Sequence, residues 1–296
     1  MRGPCNVKPS IDESPALLQM VDRMPAFPVS VQRVIEMTSD LHCDPRELIQ
    51  VLEHDPVLTI KILKIANSAY FGVMSQISSI RHAVAYLGLN TVKHIAVTVA
   101  SVGVMPRTNA AGIRMERFLS HSLSVAVLAK SLAIQCSASP AHIQSCFVAG
   151  LLHDIGQVVW AQSRPEEYAQ VVQHKASTGL STAEAETEIL GSTHAQLGGM
   201  LARKWQFSEE LIESIQHHHE AATDPSSGIL RDCLYVANIT ADQLHELDEL
   251  PHVQPKGSTP LTDRLCARFG GESLAILRQM PNLKDDLERA RAFMQV

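Results

Sequence analysis

The sequence predicts an all-α protein built as a two-lobed helical bundle. Three observations carry that expectation. Apolar residues recur at spacings of three and four through almost every segment, the period of a helix with one buried face. Period-two alternation, the mark of a half-buried strand, is hard to find. Ser-Pro and Asp-Pro pairs repeatedly precede apolar runs. In such a pair the polar side chain accepts first-turn N–H groups, and Pro occupies a position that needs no donor.

In chain order, Ser14-Pro15 opens a first helix in SPALLQM. MPAFPVS then breaks the chain, because Pro25 and Pro28 bias the residues before them away from helical angles. Helices are expected at about 29–39, 45–53, 56–67, 79–87 and 91–104. Asp44-Pro45, with Glu47 at the capping-box position, starts the second of these, and Asp55-Pro56 starts the third. Gly88 after AVAYL is a left-handed stop, and Gly72 a breaker. Asn67, Ser68 and Tyr70 are placed to satisfy backbone groups at the lobe junction. MPRTNAAG at 105–112 is the seam between lobes.

The second lobe is expected from 113 to about 247. It holds a long helix 113–135, a continuous helical run HIQSCFVAGLLHDIGQVVWA, a helix after Arg164-Pro165, and helices at 182–190, 193–205, 208–219 and 229–247. HVQPKGSTP reads as a loop, and LTDRLCARFGGESLAILRQM and DDLERARAFMQV as further helix.

Composition excludes several functions. Of 296 residues 45% are hydrophobic and 19% charged, so the chain has material for a core and is not of disordered type. A net charge of −6 and 4% aromatic residues supply neither a basic field nor a stacking surface, which argues against nucleic acid as a partner. MRGPCNVKPS has no apolar h-region, and HIAVTVASVGVM is too short to span a bilayer, so a cytoplasmic protein with no membrane partner is expected. Cys5, Cys43, Cys136, Cys146, Cys233 and Cys266 form no C-x-x-C pair and read as reduced, mostly buried residues.

The fourteen histidines are the oddity, and their placement matters more than their number. His121 lies three after Phe118 and four before Val125, on the apolar stripe of its helix. His153 and Asp154 sit within an apolar run, about 100° apart on a helix, with Gly150 and Gly156 on either side to let another helix approach. His194 precedes Leu197, Gly198 and Leu201 at helical spacing, and His218 and His219 follow Ile215 by three and four. A single such His is more often a hydrogen-bonded core residue. A carboxylate buried among several imidazoles, however, must be paired, neutralised or bound to metal. The donor set suits a divalent ion such as Fe, Mn, Ni or Zn, and the pattern is compatible with one ion, a pair or none. His42, His54, His174 and His217 read as solvated or packing residues.

These residues, in the order His121, His153-Asp154 within GLLHDIGQ, His194 and His218-His219-Glu220, resemble the ligand order of the HD superfamily of metal-dependent phosphohydrolases. MPAFPVSVQRVIEMTSD, LEHDPVLTIKILKIANSAYFG and ISSIRHAVAYLGLNTVKHI more particularly resemble the HDOD family, the HD-related output domain of bacterial signalling proteins. The resemblance implies an HDOD domain over residues 17–220, with an N-terminal lobe of about 17–105 and an HD-like lobe from about 113. The closing helix of that lobe runs to about 247, and residues 248–296 form a C-terminal helical extension. It implies metal ligation by His121, His153, Asp154, His194, His218 and His219, with His153 and Asp154 the candidates for any catalysis.

One departure stands out. In YVANITADQL, Asn238 occupies the place where the resemblance expects the closing Asp, and a neutral amide holds and charges a metal less well. Asp242, one turn later, replaces it only if that helix shifts. DPVLTIKILKIANSAYFG also reads as a well-capped core helix without a ligand role. The implied function is signal transduction through protein partners of the kinase, response-regulator or cyclase type. The alternative is a metal-dependent phosphohydrolase or cyclic-nucleotide phosphodiesterase acting on a phosphorylated small molecule.

Overall fold

The computed structural model describes residues 15–38, 44–68, 71, 73–103, 111–220, 228–249 and 260–291. Seventeen helices and no strand occur among them. The expected Ser14 cap, His42, Tyr70, Gly72 and most of the 105–112 seam lie outside the described residues.

The first lobe contains α1 (Pro15–Arg23), α2 (Val29–Thr38), α3 (Pro45–Glu53), α4 (Pro56–Ala66), α5 (Ile80–Leu87) and α6 (Leu89–Gly103). Its helix starts follow the anticipated chemistry. Asp44 accepts from the Arg46 N–H at 2.8 Å and Asp55 from the Leu58 N–H at 2.9 Å, each with Pro next in the chain. Gly88 closes α5 with φ of +86°. Asn67 caps α4 and staples it to the following loop. Its amide donates to Leu63 O and Ile77 O, both at 2.8 Å, and its Oδ1 accepts from Ile77 N at 2.7 Å. The central α6 packs on α2, α4 and α5, and on the second-lobe helix Pro140–Leu152.

The second lobe contains α7 (Met115–Gln135), α8 (Pro140–Leu152), α9 (Ile155–Ser163), α10 (Pro165–Thr178), α11 (Thr182–Leu190), α12 (His194–Lys204), α13 (Glu209–Gln216) and α14 (Ile229–Glu249). Its core is α7, α8 and α14, packed on one another, with α9 and α13 set against α12. Among the described residues α7 is the one helix long and apolar enough to cross a membrane, but 61% of its apolar window is buried within the protein, as befits a core helix.

Two expected helices end earlier than periodicity implied. The run 142–161 is not one helix: α8 stops at Leu152 and α9 starts at Ile155, so His153 and Asp154 occupy the joint and are not successive positions on one cylinder. The glycines on its two sides permit close packing. A Cβ on Gly150 would lie 2.4 Å from Ala126 Cα of α7, and one on Gly156 would lie 1.9 Å from His194 O of α12. Each half is pressed backbone to backbone against a different helix. Likewise α13 stops at Gln216, and His217, His218 and His219 form a turn beyond it.

The lobes are tied at the MPAFP linker. Phe27 stacks on Trp205 at a centroid distance of 4.4 Å, and Lys204 Nζ donates to the carbonyls of Val21, Asp22 and Met24 at 2.8–3.0 Å, taking up the open end of α1. The C-terminal region forms α15 (Asp263–Phe269), α16 (Ser273–Arg278) and α17 (Leu283–Ala290). Gly270 and Gly271, at φ of +81° and +131°, separate the first two. These helices return to the second lobe, α16 against α14 and α17 against α7.

Candidate metal centre

Four elements bring the candidate side chains together. His121 comes from the second turn of α7, His153 and Asp154 from the α8–α9 joint, His194 from the first position of α12, and His218 and His219 from the turn after α13. Ligand atoms of Asp154, His194, His218 and His219 lie within 4.8 Å of one another, as do those of His121, His153 and Asp154. Asp154 belongs to both groups. Its Oδ1 is 3.1 Å from His194 Nε2 and 3.6 Å from His218 Nε2, whereas its Oδ2 is 3.4 Å from His153 Nε2 and 3.8 Å from His121 Nε2.

The outward-facing ring nitrogens are committed elsewhere. His153 Nδ1 donates to Gly150 O at 2.8 Å, and His218 Nδ1 to Ile215 O at 2.7 Å. His194 Nδ1 donates to Glu186 Oε2 at 2.6 Å, and the same oxygen accepts from the His194 backbone N–H at 2.7 Å. In neutral imidazole one committed Nδ1–H leaves Nε2 as a lone pair, and these lone pairs converge on the Asp154 carboxylate. His194 Nε2 lies 3.3 Å from His218 Nε2 and 2.8 Å from His219 Nε2. The buried His153 Nε2 has no hydrogen-bond partner among the described residues. Acceptors crowded at these distances, one of them orphaned, fit a divalent cation: nitrogen and carboxylate ligands with backbone and carboxylate groups fixing the tautomers behind them.

Protonation follows the same geometry. Burial lowers the His194 pKa, but Glu186 and Asp154 on its two sides outweigh it and push it up to about 10. Without a cation, a proton therefore bridges the two acids. Burial pulls His218 down to about 4, helped by the neighbouring imidazoles and opposed by Asp154. For Asp154 burial acts upward, yet the charge of His153 and bonds from the surrounding imidazoles hold its carboxyl well below the usual range.

All seven predicted residues lie here. Asn238 on α14 places its Oδ1 3.2 Å from His121 Nε2, in contact with the cluster. Asp242 needs no helix shift to come near, since its Oδ1 is 3.7 Å from His121 Nδ1. It faces the ring from the side away from Asp154. The histidines set aside from the cluster stay outside it: His174 pairs with Glu188 at 2.7 Å, His217 with Glu220 at 3.2 Å, and His54 Nδ1 bonds Gln50 O at 2.6 Å. Sequence reasoning missed Glu186, which is fully buried. Its only signal was a place eight residues before His194. It also missed the walls of the cavity of about 560 Å³ over the cluster, which include Arg114, Arg117, Tyr168 and Lys175.

Comparisons with known proteins bear on the fold and the family. A curated protein of Treponema pallidum, of uncharacterised function, is 25% identical over 213 residues; the match takes in 71% of this chain and 40% of that protein's length. A solved structure from Shewanella amazonensis, described as a candidate phosphohydrolase, is 24% identical with a TM-score of 0.73, over 95% of this chain and 99% of the other. A candidate signal transduction protein from Marinobacter aquaeolei is 20% identical with a TM-score of 0.72, over 95% of this chain and 65% of the other. At these identities the two structures establish a shared fold. The HDOD domain family itself matches residues 24–221. The chain therefore belongs to the HDOD family.

Proposed function

We propose that this protein is a bacterial, cytoplasmic signal-transduction regulator whose second lobe holds one or two divalent ions, and whose output passes to protein partners of the kinase, response-regulator or cyclase type. The observation that carries the reading is the pairing of a well-formed imidazole and carboxylate cluster with Asn238 at His121, where a charged closing ligand is expected. Asp154, His194, His218 and His219 would hold one ion, and His121, His153 and Asp154, with Asn238 beside them, a second. A divalent ion bound there supplies Lewis acidity toward a phosphoryl group. This chain's own residues fix the imidazole tautomers through Gly150 O, Ile215 O and Glu186, and keep Asp154 ionised. The amide of Asn238 contributes no charge, so the site is suited to binding more than to turnover.

The second reading, a phosphohydrolase, is favoured by the open cavity above the cluster. One experiment separates them. Elemental analysis of purified protein is expected to find Mn or Fe, lost in His153→Ala, and the metal-loaded protein should not hydrolyse p-nitrophenyl phosphate. Asn238→Asp restores the missing charge and is expected to raise turnover above background. Rapid hydrolysis by the unmodified protein would overturn the regulatory reading, and a metal-free protein with unchanged folding would remove the metal from both.

A further inference from the structure

Glu186 holds His194 with one oxygen only. Its Oε2 accepts from both the backbone N–H and the Nδ1–H of His194, whereas Oε1 is buried and accepts no hydrogen bond among the described residues. We propose that Tyr168 is a positioning residue of the metal cluster, its hydroxyl turning to Glu186 Oε1 and, through that carboxylate, fixing the His194 imidazole. The proposal rests on the metal-site reading above and extends it outward by one residue.

Three packed helices place the phenol. Tyr168 is on α10, which lies against both α9 and α11, and these carry Gln157 and Glu186. The residue is only 1% exposed, so packing sets the position of its ring. Its hydroxyl donates to Gln157 Oε1 at 3.2 Å, long for an O–H donor, whose bonds to oxygen ordinarily run about 2.7–2.8 Å. Burial first, then the charges of Glu186 and Asp154 and a bond to Glu186, hold the phenol well above its ordinary pKa range. It stays a donor. One O–H proton serves one acceptor at a time, and a carboxylate oxygen is a stronger acceptor than a neutral amide.

An imidazole that ligates through Nε2 is oriented by whatever its Nδ1–H meets. Two donors on a single oxygen leave the Glu186 carboxylate able to rotate about that oxygen. A donor on Oε1 removes the freedom. It also satisfies a buried polar atom that is costly to leave alone.

Calorimetric titration of the full chain with Mn²⁺ tests this. Tyr168→Phe deletes only the hydroxyl and is expected to raise the Kd about tenfold, the lower end of what losing a partner behind a ligand does. In the Glu186→Gln background the same change should add almost nothing, because the hydroxyl acts through that carboxylate. Gln157→Met removes the present acceptor at similar volume and should leave the Kd within about twofold of that of the unsubstituted protein, as for an uncoupled site. A purely structural hydroxyl would lower the urea midpoint of the metal-free protein and leave the Kd in place, so both are measured for each variant. An unchanged Kd in Tyr168→Phe, losses that add in full in the double variant, or a Kd raised as far by Gln157→Met as by Tyr168→Phe would each overturn the proposal with the metal reading intact. Failure of the unsubstituted protein to bind Mn²⁺ would overturn the metal reading and this proposal with it.

Discussion

Asp154 and Glu186 face each other across His194, one 3.1 Å from Nε2 and the other 2.6 Å from Nδ1. A buried carboxylate behind a ligating imidazole fixes its tautomer and raises its basicity. Glu186→Gln keeps the side-chain shape and removes the charge, so Mn²⁺ affinity is expected to fall about 10–100-fold, the usual effect of losing such a partner. Calorimetry with Mn²⁺ reads this directly, and an unchanged Kd would show the charge to be dispensable. Gly156 acts through space alone. A methyl there would meet His194 O at 1.9 Å, and backbone on both sides cannot rotate away. Gly156→Ala is expected to cost about 1–3 kcal/mol or more, as overpacking does, seen as a lower urea midpoint. A midpoint equal to that of the unsubstituted protein would mean that α9 and α12 sit farther apart than described.

At the scale of elements, each helix start and stop has a local cause, and α4 shows how one cap couples to solution conditions. Burial raises the Asp55 carboxyl pKa, but bonds from the Leu58 N–H and from Ser30 Oγ, the latter at 2.7 Å, outweigh it and leave it lowered. A carboxyl depressed in the fold stabilises above its unfolded value of about 4, and that contribution is lost as pH falls through the lower folded value. Asp55→Ala should therefore destabilise by about 0.5–2 kcal/mol at pH 7, with the gap to the unsubstituted protein closing below about pH 4. Denaturant titrations at pH 7 and pH 3 check the sign. A gap that is constant with pH would remove the charge from the explanation.

Across the whole molecule, the C-terminal helices are clamped to the second lobe by one buried acid. Asp232 on α14 accepts from Arg264 Nη1 and Nη2 at 2.6 and 2.7 Å, and from Arg268 Nη1. Asp232 is buried, but both guanidiniums keep a quarter to a third of their side chains exposed and can turn to water, so Asp232→Ala is expected to cost about 1–3 kcal/mol, the scale of losing hydrogen bonds to a charged group. Limited proteolysis should then release the region from 260 onward before the rest, and cleavage with unchanged kinetics would show that apolar packing holds it. Because α17 lies on α7 and α16 on α14, the same clamp braces the helices that carry His121 and Asn238.

The sequence alone determined the helical class, the capped starts at Asp44 and Asp55, and which imidazoles stand on apolar stripes, because these depend on short-range spacing: a stripe every three or four residues, a cap two or three residues before its N–H. It did not determine the break at His153-Asp154, since apolar residues continue through the joint, nor which helices approach the glycines on its two sides, α7 at Gly150 and α12 at Gly156. Nor could it separate Glu186 from its neighbours in TAEAETEIL. Glu184 turns back to cap Ser181, Glu188 reaches His174 with 57% of its side chain exposed, and Glu186 is fully buried against His194. Three identical residues at alternate positions receive three roles, and what assigns them is which face of α11 the fold turns inward. That is a long-range fact no local pattern contains.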